Sequence, residues 1–431
     1  MNSRDVVIVE GARTPFAKSG TKLRDVHAAE LGRVAMKGTI ARANLDVNSV
    51  DEVILGNAGN PSDAVNIARV VALNSGIPKS VSSFTVHRNC ASALEAVSSG
   101  YERIKSGTDE EVLVGGSESM SQMPLLFTQK FANIFGELAA AKTMAGKFAA
   151  LSKLKLKYLA PRISIMEGLR DPFTGMMMGD TAELLAKEFK ISRREQDEFA
   201  LRSHQRAVEA TKAGRLQEEI VPLYIPPKFS EVLTQDVGPR DGQTMEALGK
   251  LKPFFDKKNG TVTVGNSCPI TDGAAVLLLM SREKAKALGF KPLVSIKGYA
   301  FAGLEPERMG LGPVYATAKL LKKLNMKLSD IGLIELNEAF AAQVLACEKA
   351  FASKSFAQEK LGLGDAIGEV DPSKLNVNGG AIALGHPVGA TGSRLVLTLM
   401  KEMNRRKTQY GLATLCIGGG QGGSIILERE A

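Results

Sequence analysis

Thr85-Val86-His87-Arg88-Asn89-Cys90-Ala91-Ser92-Ala93 is the stretch from which the rest of the chain can be read. Before it, residues 81–86 are rich in β-branched and small side chains, the composition of a short buried strand. After it, Leu94, Val97, Tyr101 and Ile104 recur at helical spacing, and Gly107 stands where a helix C-cap belongs. A cysteine is therefore predicted at a strand-to-helix junction, against the N-terminus of a buried helix. Unpaired N–H groups there favour negative charge and lower a thiol's pKa, which suits a nucleophile. The same residue also reads as a small core cysteine, since free Cys is among the most buried residue types. Segments further along decide between the two.

The chain has 431 residues, enough for two or three domains with large cores. Its 44% hydrophobic and 23% charged residues are those of an ordinary soluble globular enzyme. No apolar run approaches the length of a membrane span, and residues 1–10 lack a signal-peptide core. Four cysteines without a Cys-x-x-Cys pair argue against a zinc site or a disulfide framework, so a reducing cytoplasm is expected. A net charge of +9 attracts nucleic acid, a membrane surface or a phosphate-rich ligand. Aromatics are only 5% and no aromatic-basic motif is visible, so nucleic acid is not expected as a partner.

Strands alternate with helices through the first 120 residues, the pattern of a layered α/β domain. Asp5 to Val9 reads as a strand, 28–43 as a helix and 53–56 as a second strand. Asn60-Pro61-Ser62-Asp63 caps a helix through Ile67, Val70 and Val71, and 111–115 is another strand. From Ser121 the composition shifts. Between Phe127 and Arg170 the charged residues are mostly Lys and Arg and no strand is evident. Phe127, Phe131 and Ile134 share one helical face there, and Met144, Phe148 and Leu151 another. This reads either as a cover with a solvated basic face or as a surface for association. A long charged helix is predicted over 192–213, and 261–264 is predicted as a strand. The α/β alternation resumes after Lys291. Strand, special turn, apolar helix and a strand running into Gly-Gly occur around Cys90 to Gly116 and again from Asn376 to Gly420. That echo suggests two copies of one unit packed face to face.

Three downstream segments bear on Cys90. In Leu336-Asn337-Glu338-Ala339-Phe340 the Asn follows a strand, where it either fixes a water or substrate oxygen or caps the next helix. Residues 376–392 hold five glycines, used where backbone bends or approaches a ligand closely, and one of only four histidines, His386. Pro387 after it is a favoured first helical residue, so His386 is predicted to project from a helix N-terminus. In Leu415-Cys416-Ile417-Gly418-Gly419-Gly420, a strand delivers a second cysteine to a Gly-rich loop, which suggests a second chemical role.

Cys90 within Asn-Cys-Ala-Ser-Ala, Asn337-Glu338-Ala339-Phe340, Gly385-His386-Pro387 and Cys416-Ile-Gly-Gly-Gly resemble, in order, the four signature segments of the thiolase family. The likeness runs from Arg13-Thr14-Pro15-Phe16 to Gly422-Gly423. It implies an α/β thiolase fold: two similar βαβαβαββ halves in a layered αβαβα arrangement, with an inserted loop domain. The expected boundaries are a first half at 1–120 completed by about 260–290, an insertion at 121–259 and a second half at 291–431. The resemblance makes Cys90 the acyl-carrying nucleophile, His386 its activator and Cys416 the acid/base at the α-carbon. It places Asn337 with His386 in one oxyanion hole, and the N–H groups of Cys90 and Gly418 in the other. Met178, Cys268 and Arg240 are expected on the substrate and coenzyme A side.

The implied reaction is cleavage of 3-ketoacyl-CoA by coenzyme A, as in fatty-acid β-oxidation, through a Cys90 acyl-enzyme. Its reverse, biosynthetic condensation of two acetyl-CoA, is the alternative, and a non-enzymatic lipid-binding or assembly scaffold is a further one. Coenzyme A is a substrate; no permanent cofactor and no metal are expected. Residues 127–170, 178–183 and 250–253 are similar to the thiolase subunit of fatty-acid-oxidation trifunctional complexes, whereas the segments around His386 and Cys416 look like the short-chain biosynthetic kind. The partners implied are acyl-CoA, a second copy in a homodimer or homotetramer, a hydratase/dehydrogenase subunit, and a membrane surface met through 127–170.

Overall fold

The computed structural model describes residues 4–430. One half of the fold runs through Val6–Arg13 (β1), Ala28–Ala43 (α1), Glu52–Gly56 (β2), Ile67–Asn74 (α2), Ser82–Val86 (β3), Ser92–Ser106 (α3) and Glu111–Ser119 (β4). Met178–Glu188 (α4) and Arg193–Lys212 (α5) intervene before Thr271–Ser281 (β5), which slots between β1 and β4. The second half comprises Val294–Gly303 (β6), Gly312–Leu324 (α6), Leu333–Leu336 (β7), Ala341–Ala352 (α7), Thr391–Arg406 (α8), Tyr410–Ile417 (β8) and Gln421–Arg429 (β9). The sheet order is β7-β8-β9-β6-β1-β5-β4-β2-β3, and the halves meet where β1 pairs antiparallel with β6 at Val7↔Ser295 and Ile8↔Val294. The halves repeat one strand order, except that the second half's counterpart of β3 is a single bridge, Ile334↔Leu375.

The layers follow from strand periodicity. Alternate residues of a strand face opposite ways, and here both ways are buried. Val7 and Val9 join a core with α1 and α2, as do Val276, Leu278 and Met280. Val6, Ile8, Leu277 and Leu279 join a second core containing Leu94 and Val97 of α3 and Leu395 and Leu399 of α8. On the far side of the second half, Ile334, Leu336 and Leu412 pack with α4, α5, α6 and α7. The result is five layers, αβαβα. The middle layer is close-set: a Cβ placed on Gly392 of α8 would lie 2.3 Å from the Leu94 backbone nitrogen.

Several local expectations are corrected. β3 is half-exposed because it is the sheet's edge, with β2 on one side only. Residues 261–264 form no strand; the N–H groups of Thr261 and Val262 are taken by the buried Glu183 carboxylate (2.8–2.9 Å), which removes the need for a neighbouring strand. The cap of α2 is Asn66, accepting from Arg69 N, and not residues 60–63. Pro387 is not the first residue of a helix; it opens a turn, and α8 begins at Thr391.

The described chain divides into two compact units, one up to Gln122 and again from Asp171, the other Met123–Arg170. The second holds three helices, Gln129–Ala140, Met144–Leu151 and the short Ser164–Gly168, the first two capped by the hydroxyls of Thr128 and Thr143. Phe127 stacks on Phe131 at 4.5 Å, and Leu125–Leu126 pairs with Arg162–Ile163, a short ladder that the sequence did not suggest. Phe135, Met144, Phe148 and Leu156 are exposed. Among the described residues no helix is long and apolar enough to cross a membrane.

Candidate active site

β2 lies parallel to β3 and β4, and β7 parallel to β8. Ligands of α/β sheets bind beyond the carboxyl ends of such strands. Cys90 follows the end of β3, Asn337 follows β7, and Cys416 with Gly418 closes β8.

The turn at Cys90 is built by its neighbours. Asn89 takes the left-handed conformation, φ 46°, which Asn tolerates better than most residues. Ser92 Oγ accepts from Arg88 N (2.9 Å) and donates to Asn89 O (2.7 Å), so the turn is closed by one hydroxyl. Asn89 Nδ2 donates to Gly418 O (2.8 Å). This ties the cysteine turn of the first half to the glycine loop of the second. Burial pushes the thiol above its ordinary pKa, against the lowering by the Gly418 and Cys90 N–H groups, with the Glu118 charge adding to the rise. The expected thiolate-favouring helix terminus is thus overruled by desolvation in the unliganded protein.

His386 is buried, and its Nδ1 lies 2.5 Å from Thr391 Oγ1. That hydroxyl donates its only proton to Pro387 O (3.0 Å), so it accepts from Nδ1–H. Nε2 then carries the lone pair, and no protein group meets it. Burial, and secondarily Arg394, pull the imidazole pKa down to about 3. Asn337 is fully buried and neither its Oδ1 nor its Nδ2 has a protein partner. The helix after it, α7, has Phe340 as its N-cap, so Asn337 is no cap. A buried polar atom left unpaired costs about 1–3 kcal/mol.

Cys416 is buried on β8, and burial together with the charges of Cys90, Cys347 and Cys268 pushes its thiol well up. Cys268, half-buried, is pushed up by burial and by Cys90. The charges of Cys90, Cys268 and Cys416 thus act on one another, and that of Cys347 acts on Cys416 as well. Cys347 is the contrast: its sulfur donates to Gly310 O (3.1 Å) inside the α7 core, a packed thiol with its hydrogen bond made. Met178, at the start of α4, brings its sulfur to 3.4 Å from where a Gly418 Cβ would stand. Arg240 lies in the segment between α5 and β5. Its side chain is exposed, and its backbone N–H donates to His204 Nδ1 (3.3 Å) on α5. Among the described residues no group of three or more His, Cys, Asp or Glu side chains is arranged to hold a metal ion.

Sequence reasoning missed Asn89 and Thr391 as parts of the site. The signal for Asn89 was an Asn at a tight strand-to-helix turn; for Thr391 it was a hydroxyl five residues beyond His386.

Residues 6–283 match the family model for the N-terminal domain of thiolase, and residues 290–429 that for its C-terminal domain. A 3-ketoacyl-CoA thiolase of Yersinia enterocolitica is 42% identical over 426 residues, covering 99% of this chain and 97% of that protein. The acetyl-CoA acetyltransferase of Bacillus anthracis superposes with a TM-score of 0.87 at 38% identity, 99% of each chain being covered. Human mitochondrial 3-ketoacyl-CoA thiolase in complex with CoA gives 0.85 at 37%, covering 99% of this chain and 98% of that one.

Proposed function

The chain belongs to the thiolase family, and from that premise we propose that it cleaves 3-ketoacyl-CoA with coenzyme A, giving acetyl-CoA and a shortened acyl-CoA, as in fatty-acid β-oxidation. What supports the residue roles is the set of buried polar atoms without protein partners, Asn337 Oδ1 and Nδ2 and His386 Nε2, beside strand ends that deliver two separate thiols. Groups held unpaired in advance of a ligand are what stabilisation of a developing charge requires.

In this reading Cys90 loses its proton to His386 Nε2 and its sulfur attacks the 3-keto carbon. The bond between C2 and C3 breaks, leaving an acyl thioester on Cys90 and the enolate of acetyl-CoA. Cys416 gives the enolate its proton. The enolate oxygen is held by His386 and by a water on Asn337, while the Cys90 and Gly418 N–H groups hold the acyl carbonyl. Coenzyme A then attacks the thioester, its thiol proton passing to the Cys416 thiolate, and Cys90 leaves, taking its proton back from His386. Met178 and Cys268 line the acyl and pantetheine path, and exposed Arg240 serves the coenzyme's phosphates. Coenzyme A enters as substrate, and the scheme needs no resident cofactor. The same groups run the condensation of two acetyl-CoA in reverse; likeness to the Bacillus anthracis acetyltransferase supports this second reading.

Around this chemistry, the halves are 1–120, completed by about 260–290, and 291–431, with 121–259 as the insertion. The open edge of β3 supports self-association as a homodimer or homotetramer. A cytoplasmic location accords with the absence of a spanning helix among the described residues. Exposed Phe135, Met144 and Phe148 beside Lys147 and Lys153 support contact of the Met123–Arg170 unit with an anionic membrane surface.

The test uses the two thiols. Cys90→Ala abolishes both the acetyl adduct formed with acetyl-CoA and all turnover. Cys416→Ala keeps slow acylation of Cys90 and loses thiolysis by about 10²-fold or more, the scale of a positioned acid/base. Intact-mass analysis and steady-state rates check both, and near-normal thiolysis by Cys416→Ala would overturn its role.

A further inference from the structure

Glu118, on β4, is given no catalytic role above beyond the charge it sets near Cys90, yet its side chain is almost wholly buried. Four N–H groups converge on it. Oε1 accepts from Asn57 Nδ2 and Gly59 N, both at 3.0 Å, and Oε2 from Ala58 N and Gly389 N, both at 2.9 Å. Four donors suit a carboxylate, since a glutamine would have to turn its own N–H groups towards a donor; they oppose burial, which nonetheless pushes the Glu118 pKa up to about 7.

The two arms of this joint come from opposite sides of the site. Residues 57–59 follow β2, and Asn57 N donates to Val86 O (3.2 Å), the end of β3 and four residues before Cys90. Gly389 lies in the turn between His386 and Thr391, the pair joined through Nδ1. One carboxylate therefore fastens the approach to Cys90 in the first half and the turn that carries His386 in the second.

The joint has no spare room. A Cβ on Gly389 would stand 2.6 Å from Glu118 Oε2 and 2.8 Å from Asn57 Cα. A Cβ on Gly116 would stand 1.9 Å from Gly389 O. Gly389 is thereby explained by its approach to this carboxylate, and Gly116 by its approach to the Gly389 backbone that the carboxylate holds.

We propose that Glu118 is a positioning residue for the Cys90–His386 pair, its carboxylate fixing the turn that carries His386 against the strand end that leads to Cys90. This rests on the roles given above to Cys90 and His386. A displacement of about 1 Å between reacting groups costs on the order of 10²-fold in rate, and the carboxylate is placed to prevent it.

Full-length Glu118→Gln, which keeps the shape and removes the charge, tests it. Thiolysis of acetoacetyl-CoA and the rate of Cys90 acetylation are measured with kcat and KM separated. The expected result is a fall in kcat of about 10- to 100-fold, matched by acetylation, with the KM for CoA within about twofold. Glu118→Asp keeps the charge and is expected to fall between the two. A Glu118→Gln protein with kcat within about threefold of wild type, or with its loss confined to KM, overturns the proposal. Should Glu118→Gln fail to fold, Asn57→Ala removes one of the four donors; kcat is then expected to fall about 3- to 10-fold at constant KM, and an unchanged kcat overturns it. Cys90→Ala assayed alongside separates the two failures. If it stays active the catalytic reading falls; if it is dead while Glu118→Gln is normal, only the role of Glu118 falls.

Discussion

His386 and Cys90 show how burial sets the chemistry of single side chains. Both were legible in the sequence, one as a rare histidine inside a glycine run and the other at a strand-to-helix turn. What was not legible was the balance of terms. The helix terminus predicts a depressed thiol, but desolvation outweighs two N–H groups and the thiol is raised. Thr391 was missed because its task, accepting from Nδ1–H, depends on a turn that spacing alone does not define. His386 also carries a stability consequence. Folded, it stays neutral down to about pH 3; unfolded, it takes a proton near 6.5. Protons thus bind the unfolded chain more readily, and stability is lost as pH falls from about 6.5 towards 3. His204, lowered to about 4 by burial, adds a loss of the same sign. His386→Asn should therefore lose less stability than wild type between pH 7.5 and pH 5, read as the shift in urea midpoint. An equal loss in both proteins would place the acid sensitivity elsewhere.

At the level of helices and strands, periodicity was the reliable guide. α5 was predicted over 192–213 and occurs at Arg193–Lys212, with Ser192 and Glu195 forming its capping box. The failures came where a side chain replaced a backbone partner. Glu183 satisfies the N–H groups of Thr261 and Val262, so a β-rich stretch stays out of a strand. Asn376 does the same near the site, its amide bonding both Leu336 N (2.8 Å) and Leu336 O (2.9 Å) where a third strand would run. Helix crossings are equally local in cause. Gly392→Ala puts a methyl into the Leu94 backbone, which cannot move aside, and should destabilise by about 1–3 kcal/mol or more. Gly136→Ala, in the helix Gln129–Ala140, meets nothing within 4 Å and should stabilise by about 0.5–1 kcal/mol through the helix backbone. Thermal melts of the two variants shifting in opposite directions would bear this out; a stabilised Gly392→Ala would contradict it.

For the molecule as a whole, the duplicated architecture was readable from the echo between the Cys90 and Cys416 regions, because both copies kept their glycine turns. Separation of Met123–Arg170 as its own unit was readable only as a change in composition. Net charge of +9 and the lysines of that unit bear on where the molecule resides. Neutralising Lys147, Lys153, Lys155 and Lys157 together should leave acetylation of Cys90 intact and weaken sedimentation with anionic vesicles. The wild-type interaction should itself fade between low and physiological salt as the Debye length shortens to about 8 Å. Wild type that ignores anionic vesicles at both salts, or that instead holds a hydratase/dehydrogenase subunit, would remove the membrane reading. A last consequence belongs to the order of the chain. β5 sits between β1 and β4 in the sheet, yet roughly 150 residues separate it from β4. A ribosome adds about 5–20 residues per second, so the emerging first half waits about 8–30 s with a strand-wide slot open. Leu277 and Leu279 are the side chains that finally fill its inner face.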